Sequence, residues 1–501
     1  MPNLIWSGKK DQYNFSKLNF NIKELLQKSK QNLGILFEKY QQEPIDNNLE
    51  KDWQNLLIWG ESNKIMHLLL KNFSGKINLI YIDPPFATGG NFNYKIHIGE
   101  KNFSESAKAY SDTWKEGLEE YLSFLHKRLV LMKHLLSENG SIYVHLDWHV
   151  SHYIKIILDE IFGTGNFRNE IIWSYPAASV QTRKFFIRSY DVILFYTKSD
   201  DYVFNDNPNI YMEYSNRVKN ALKKDEHGIF YYRGGSHNGK KLSRKVYVKE
   251  GGIFPRDVWN DIPYIRANTM EYQGFSTQKP ERLLKRIILA SSNEKDLIAD
   301  FFCGSGTSLI VAEKLNRRWI GCDLAKHAIH ITRKRVLDIS NSYNLFNWKE
   351  TYDHSFRPFE VINLNAEFNT VNIPENFLKK EDANINIKGS PKFEVKICKD
   401  GKKVWIELKD YKLPYINLIN DKIKHKIVSF HDLIDYWAID FNHNDNCFNN
   451  VWFSYKTGKN REIKLTSTPY YYNNSNQYHI QVKVINVFGQ ESIQKYSIKI
   501  N

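Results

Sequence analysis

Residues 77–86 read Ile77-Asn78-Leu79-Ile80-Tyr81-Ile82-Asp83-Pro84-Pro85-Phe86, and the flexible stretch Ala87-Thr88-Gly89-Gly90 follows. A near-continuous apolar run is the mark of a strand buried on both faces of a parallel sheet. In open α/β sheets, ligand chemistry lies at the carboxyl ends of such strands. Asp83 therefore falls where a reaction would. Two successive prolines fix φ and remove two N–H donors, leaving rigid backbone whose carbonyls serve as acceptors. One carboxylate, one aimed carbonyl and one aromatic ring suit a flat heterocycle that bears an exocyclic amino group. Hydrogen bonds to its N–H protons favour the tetrahedral nitrogen that forms as the lone pair attacks, and the carboxylate opposes the charge developing there. The competing reading is a turn after a core strand, with Asp83 as a helix N-cap.

Around this stretch, from 54 to 345, short apolar strands alternate with amphipathic helices, the pattern of an α/β sheet wrapped by helices. The predicted strands are 55–60, 77–83, 140–147, 169–175, 191–198, 297–302 and 318–324, enough for one large sheet. Residues 1–52 read as a helical extension, from the spacing of Ile22, Leu25, Leu26, Leu33, Ile35 and Leu36. The segment 201–270 breaks the rhythm. It carries Lys223, Lys224, Arg233, Lys240, Lys241 and Arg244 among tyrosines and glycines, a mixture that suits a loop-rich insertion facing nucleic acid. A solvated basic hairpin is the plainer alternative. Beyond 355 the chain turns to alternating stretches such as KFEVKI and KVWIEL, the period of antiparallel sheet, so 355–501 forms a separate β-rich domain.

A second constellation lies far downstream. Asp300-Phe301-Phe302-Cys303-Gly304-Ser305-Gly306-Thr307 follows a strand and opens a helix, where glycines let a ligand approach the backbone. The next strand ends in Asp323, placed where ribose hydroxyls are gripped. The third glycine of a dinucleotide fingerprint and any Gly-Lys-Ser/Thr are missing, which leaves an adenosyl ligand without phosphates. Thr277, Gln278 and Lys279 precede another helix and either hold that ligand's far end or simply lead into a capped helix with Pro280 in its first turn.

Composition narrows the class. An apolar fraction of 42% and a charged fraction of 25% over 501 residues are those of an ordinary globular protein. The formal charge of +14 favours polyanions, although lysine beside Asn, Ile and Tyr is also what AT-rich coding produces. Four scattered cysteines offer neither a disulfide framework nor a Cys-x-x-Cys pair for metal, and no apolar run spans a bilayer. The expectation is a cytoplasmic chain with reduced thiols and no metal.

Together these features resemble the β-group amino DNA methyltransferases, type III modification subunits among them. LIWGESNKIM, IYIDPPFATGGNF, AYSDTW, GSIYVHLDWH, NEIIW, RDVWNDIP, STQKPERLLKRI and DFFCGSGT all read as family blocks in family order. The resemblance spans about 53–345 and implies a circularly permuted Rossmann-like sheet with helices on both faces. Its catalytic half would be 53–200, its target-recognition insertion 201–270 and its cofactor half 271–350. It implies S-adenosylmethionine as cofactor and double-stranded DNA as partner. Asp83, Pro84, Pro85 and Phe86 would serve the target base; Asp300, Phe302, Gly304, Gly306, Asp323, Thr277, Gln278, Lys279 and Glu61 would serve the cofactor. Asp before Pro-Pro tips the target towards adenine N6 over cytosine N4; a catalytically silent DNA-binding subunit is the remaining alternative. The C-terminal domain, whose QYHIQVKVINVFGQES is loosely similar to immunoglobulin-like sandwiches, would clamp DNA, dimerise the chain or dock a restriction endonuclease.

Overall fold

The computed structural model describes residues 4–9, 22–26, 53–99, 103–176, 184–237, 240–249, 251–364, 373–379, 389–444, 447–458 and 460–501. In chain order the elements are β1 (Ile22–Leu26), β2 (Asn55–Trp59), α1 (Ser62–Phe73), β3 (Ile77–Ile82), β4 (Asn91–His97), β5 (Ser104–Ser111) and α2 (Leu118–Leu135). Next come β6 (Leu136–Leu146), α3 (Ser151–Phe162), β7 (Phe167–Ser174), β8 (Tyr190–Thr197), β9 (Lys223–Asp225), β10 (Gly228–His237), β11 (Lys240–Tyr247) and β12 (Val258–Trp259). Then follow α4 (Glu281–Ala290), β13 (Leu297–Asp300), α5 (Thr307–Lys314), β14 (Arg318–Asp323), α6 (Lys326–Leu337) and β15 (Phe359–Asn363). The C-terminal strands are β16 (Lys392–Asp400), β17 (Lys403–Lys412), β18 (Ile434–Asp440), β19 (Phe448–Asn450), β20 (Trp452–Tyr455), β21 (Tyr470–Tyr471), β22 (Asn476–Asn486) and β23 (Glu491–Ile500).

Among the described residues one eleven-stranded sheet runs β12-β7-β8-β6-β3-β13-β14-β2-β15-β1-β19. All seven sequence-predicted strands are in it. From β6 through β3, β13, β14 and β2 to β15 the strands are parallel, while β8 runs antiparallel to β6 and β7. Period-2 alternation sends neighbouring side chains to opposite faces. Leu56, Ile58, Ile80 and Ile82 pack with Ile65, Leu125 and Ile157 of α1, α2 and α3. Leu57, Leu79 and Tyr81 pack with Ile287, Ile310 and Val336 of α4, α5 and α6. Helices thus cover both faces of an α/β sheet. No helix among the described residues is long and apolar enough to cross a membrane.

Three expectations change. Ile22–Leu26, read as helix from its apolar spacing, is a strand that pairs antiparallel with β15; the rest of 10–52 lies outside the described residues. Residues 359–363, assigned to the separate C-terminal domain, instead extend the central sheet parallel to β2. The insertion is more regular than a loop-rich reading allows, because 223–247 forms a three-stranded antiparallel sheet.

The C-terminal strands make sheets β16-β17-β21 and β20-β18-β22-β23 around one core that includes Phe393, Ile406, Trp437, Ile439 and Val482. That core also takes in Ile96, Ile98 and Ala107 of the β4–β5 hairpin. The other face of β18, through Tyr436 and Ala438, joins the cluster beneath α6.

Candidate active site

Strands β3 and β13 are distant in sequence and adjacent in space, with Leu79 opposite Ile298 and Ile80 opposite Ala299. The corner after β3 and the glycine turn after β13 consequently open at one carboxyl edge. A cavity of about 510 Å³ joins them, lined by Asp83 and Pro85 on one side and by Phe302, Gly304 and Asp323 on the other. Glu61, Thr277, Gln278, Lys279 and Asp300 complete its polar wall, and Trp114, Phe124 and Phe275 its aromatic one. Flat aromatic walls beside a few fixed acids suit an adenosyl group. Pro84, Phe86 and Gly306 stand outside this lining.

Asp83 is held from one side only. Lys279 Nζ donates to its Oδ2 at 2.6 Å, while Oδ1 is buried with no hydrogen-bond partner. Lys279, expected at the cofactor's far end, is thus spent on the acid at the corner, and its ammonium also lies 5.4 Å from the Phe86 ring centroid. The loop after Pro85 turns on Ala87, whose φ of 55° is left-handed. Fully buried Asp112 stabilises that turn. Its carboxylate accepts from Phe86 N (3.2 Å), Ala87 N (3.0 Å), Thr88 N (2.8 Å), Thr88 Oγ1 (2.9 Å) and Trp114 Nε1 (3.0 Å). Asp112 was missed in the sequence; its only signal was its place in the AYSDTW block.

Behind the corner runs a second polar chain. The Tyr81 hydroxyl and His145 Nδ1 are 2.9 Å apart, His145 Nε2 and Asp191 Oδ2 3.0 Å, and Tyr175 donates to Asp191 Oδ1 at 2.8 Å. Burial works to raise the Asp191 carboxyl, yet the hydrogen bond and charge of His145, with Lys279 and Tyr175, hold it below its ordinary value. Nε2 of His145 thus faces the Asp191 carboxylate as a donor, and Nδ1 faces the Tyr81 hydroxyl. Burial, reinforced by Asp83, Asp300 and Asp191, pushes that hydroxyl well above the usual range. The His145 ring stacks on Phe86 with centroids 6.2 Å apart, which fixes one face of Phe86.

The acids of the second constellation brace the turn. Asp323 Oδ2 accepts from Gly304 N at 2.9 Å and Oδ1 from Ala325 N at 2.8 Å, and burial raises its carboxyl. Asp300 accepts from Phe302 N at 3.0 Å and from the Ser308 hydroxyl, with burial pushing it up to about 7. Glu61 caps α1 through Asn63 N and Lys64 N and takes Arg128 as an ion pair. Gln278 is tied to the loop at 271–273. Gly304 (φ 51°) faces the cavity. Gly306 stands outside the lining, and two features require glycine there: its φ of 77° and the 2.5 Å at which a Cβ would meet Thr332 Cγ2 on α6.

The basic residues of the insertion gather on β9–β11. Lys223, Lys224, Arg233 and Arg244 are exposed, Arg233 is opposite Arg244, and Lys223 Nζ lies 5.4 Å from the Tyr232 ring centroid. Lys240 and Lys241 are on β11; their side chains lie outside the described residues.

A sheet with a parallel centre, wrapped on both faces, with an acid-proline-proline corner and a glycine turn sharing one cavity, is the framework of a nucleotide-using α/β enzyme. Residues 77–334 match the family described as DNA methylase. Type II methyltransferase M.EcaI of Enterobacter cloacae is 30% identical over 56% of this chain and 69% of its own length. DNA adenine methyltransferase YhdJ of Escherichia coli is 30% identical over 54% and 78%. The type III restriction-modification enzyme StyLTI Mod subunit of Salmonella typhimurium is 24% identical over 53% and 51%. The chain belongs to the DNA methylase family, as its motif order implied.

Proposed function

We propose that this chain transfers a methyl group from S-adenosylmethionine to the N6 amine of adenine in duplex DNA, as the modification arm of a restriction-modification system. The single observation that carries this reading is the buried, unpartnered Asp83 Oδ1 at the cavity shared with the glycine turn. An orphaned buried acceptor costs free energy unless a ligand donor satisfies it, and an exocyclic amine is such a donor. When bound, the cofactor supplies an electrophilic methyl group. Gly304, Phe302, Thr277, Asp323 and Glu61 would hold it.

Asp83 Oδ1 accepts one N–H of the amine and the Pro84 carbonyl the other, so the nitrogen lone pair points across the cavity. As the nitrogen gains charge, the carboxylate stabilises it and faces its departing proton. Phe86, backed by His145, stacks on the base. The base must leave the duplex first, at a cost of a few kcal/mol. Lys223, Lys224, Arg233 and Arg244 of the β9–β11 sheet, with Lys240 and Lys241 of the same hairpin, neutralise phosphates and offset part of that cost. The Escherichia coli relative's name supports adenine, and the Mod-subunit relative supports an endonuclease partner.

The purified chain, given labelled S-adenosylmethionine and unmethylated genomic DNA, is expected to yield N6-methyladenine after digestion to nucleosides. N4-methylcytosine alone overturns the adenine assignment. No transfer despite measured cofactor binding makes the chain a silent subunit.

A further inference from the structure

A group of exposed rings and cations stands at the carboxyl edge of the sheet, outside the cavity. Trp148, just past β6, is 37% exposed; Phe185 and Phe186, in the segment entering β8, are 57% and 100% exposed. The Arg188 guanidinium carbon lies 3.8 Å from the Trp148 ring centroid and 5.2 Å from that of Phe185, which joins the two segments into one plate. The Trp148 ring sits 3.7 Å from that of His149. His149 is itself anchored, because Asp147 accepts from its backbone N–H at 2.9 Å and meets its ring at 2.6 Å. Trp148 is thus held between His149 and Arg188 with both faces covered, and serves as the backing on which the Arg188 guanidinium lies beside Phe185.

Its place relative to the corner follows from register. Ile82 is opposite Val144, so Asp83 stands beside His145. Trp148 follows three residues farther along, in the turn after β6, so its backbone lies within roughly 10 Å of His145, the reach of three residues. Leu146 is opposite Val192 on antiparallel β8, which brings the segment before Tyr190 to the same edge. A base still paired hides both faces inside the duplex stack. An exposed aromatic plate with a guanidinium is useful only to a base that has left the stack, and such stacking tolerates any sequence. Arg188 and exposed Lys184 add the charge that a phosphate strand requires.

We propose that Phe185, Phe186 and Arg188, the last backed by Trp148, form a stacking platform for unpaired nucleotides of the DNA strand flanking the extruded target. The assignment rests on the methyltransferase reading above, and deepens it by naming where the displaced strand is held.

The probe is a mixed-sequence single-stranded oligonucleotide of about 20 nucleotides carrying 5-iodouracil, irradiated with the full chain and mapped by mass spectrometry. Cross-links are expected at Phe185 and Phe186. Trp148→Ala, Phe186→Ala and Arg188→Ala should each weaken single-strand binding about tenfold, while affinity for a non-matching duplex, in which no base is extruded, moves less than about twofold. Phe186 and Arg188 are exposed, so these two variants fold even if Trp148→Ala does not. Unchanged single-strand affinity in both, or equal losses on single strand and non-matching duplex, overturns the platform. Cross-links at the platform in a chain that methylates no DNA sink the catalytic reading and leave the platform standing. Methyl transfer without such cross-links does the reverse.

Discussion

The Lys279 ammonium lies 2.6 Å from Asp83 Oδ2 across 196 residues of sequence, and Oδ1 of the same carboxylate is buried without a partner. The ion pair fixes which oxygen is spent and which is offered. A free carboxylate could rotate; one clamped through Oδ2 keeps a directional acceptor facing the cavity, so no reorganisation is needed as charge develops.

Asp83→Ala is accordingly expected to lower methyl transfer by about 10³-fold or more while cofactor affinity stays within about threefold of wild type. Lys279→Met should lower kcat by at least about tenfold, also with cofactor affinity retained, because the carboxylate loses its clamp. Radiolabelled transfer and calorimetric cofactor titration check both. A Lys279→Met chain that loses cofactor binding instead would return Lys279 to the cofactor's end of the cavity.

Asp112 takes five hydrogen bonds, three of them from successive backbone N–H groups at 86–88. Removing a buried acceptor strands those of its donors that the relaxed loop does not turn to water, at about 1–3 kcal/mol for each one left unpaired. Asp112→Ala should cost on the order of 3–5 kcal/mol in urea unfolding and release the loop to proteolysis, and Asp112→Asn should fall between it and wild type. Proteolysis elsewhere, with this loop intact, would refute the brace.

Gly306 separates packing from ligand contact. Gly306→Ala introduces a Cβ 2.5 Å from Thr332 Cγ2 at a φ of 77°, and should destabilise by about 2–3 kcal/mol. Gly306→Ala with Thr332→Ala should recover part of the loss, leaving the backbone strain and the lost Thr332 hydrogen bond to Gly304 O. Cofactor affinity of the folded single variant should change less than about threefold. A large affinity loss without thermal destabilisation would put the ligand back at position 306.

Burial pushes Glu360, on β15, up to about 7, and its Oε2 has no hydrogen-bond partner. Its folded value is above its unfolded one, so its contribution is intact below about pH 4, is lost as pH rises towards about 7, and is flat above. Asp300 shifts in the same direction. Glu360→Gln should therefore gain on wild type between about pH 5 and pH 8, by on the order of 3 kcal/mol at the upper end. Parallel melting curves across that range would show that the group stays protonated or finds water.

The central sheet was legible because burial on both faces leaves a local signature: Leu56, Leu57 and Ile58 are all apolar since each meets a helix layer. The meeting of Asp83 with the glycine turn was legible only through motif order. What stayed hidden depends on partners far away in sequence. Ile22, Leu25 and Leu26 fit a helical stripe as well as a strand, and only pairing with 359–362 decides between them. Nothing in AYSDTW says that Asp112 faces backwards to the corner, and nothing around Lys279 names Asp83. Likewise, Gly306 reads as a ligand-loop glycine until Thr332 is placed against it.

The β4–β5 hairpin begins directly after the Asp112-braced loop. Its Ala109 and Ser111 line the cavity, Lys95 N bonds Gly274 O at 3.0 Å, and Ile96, Ile98 and Ala107 sit in the C-terminal core. Arg461 clamps its far end by donating to His97 O at 2.9 Å. Shortening the chain after residue 364 would uncover three apolar side chains on a ribbon rooted in the Asp112-braced loop. One ribbon thus contributes side chains both to the rim of the pocket and to the C-terminal core, so the core that covers its far end also braces its near end.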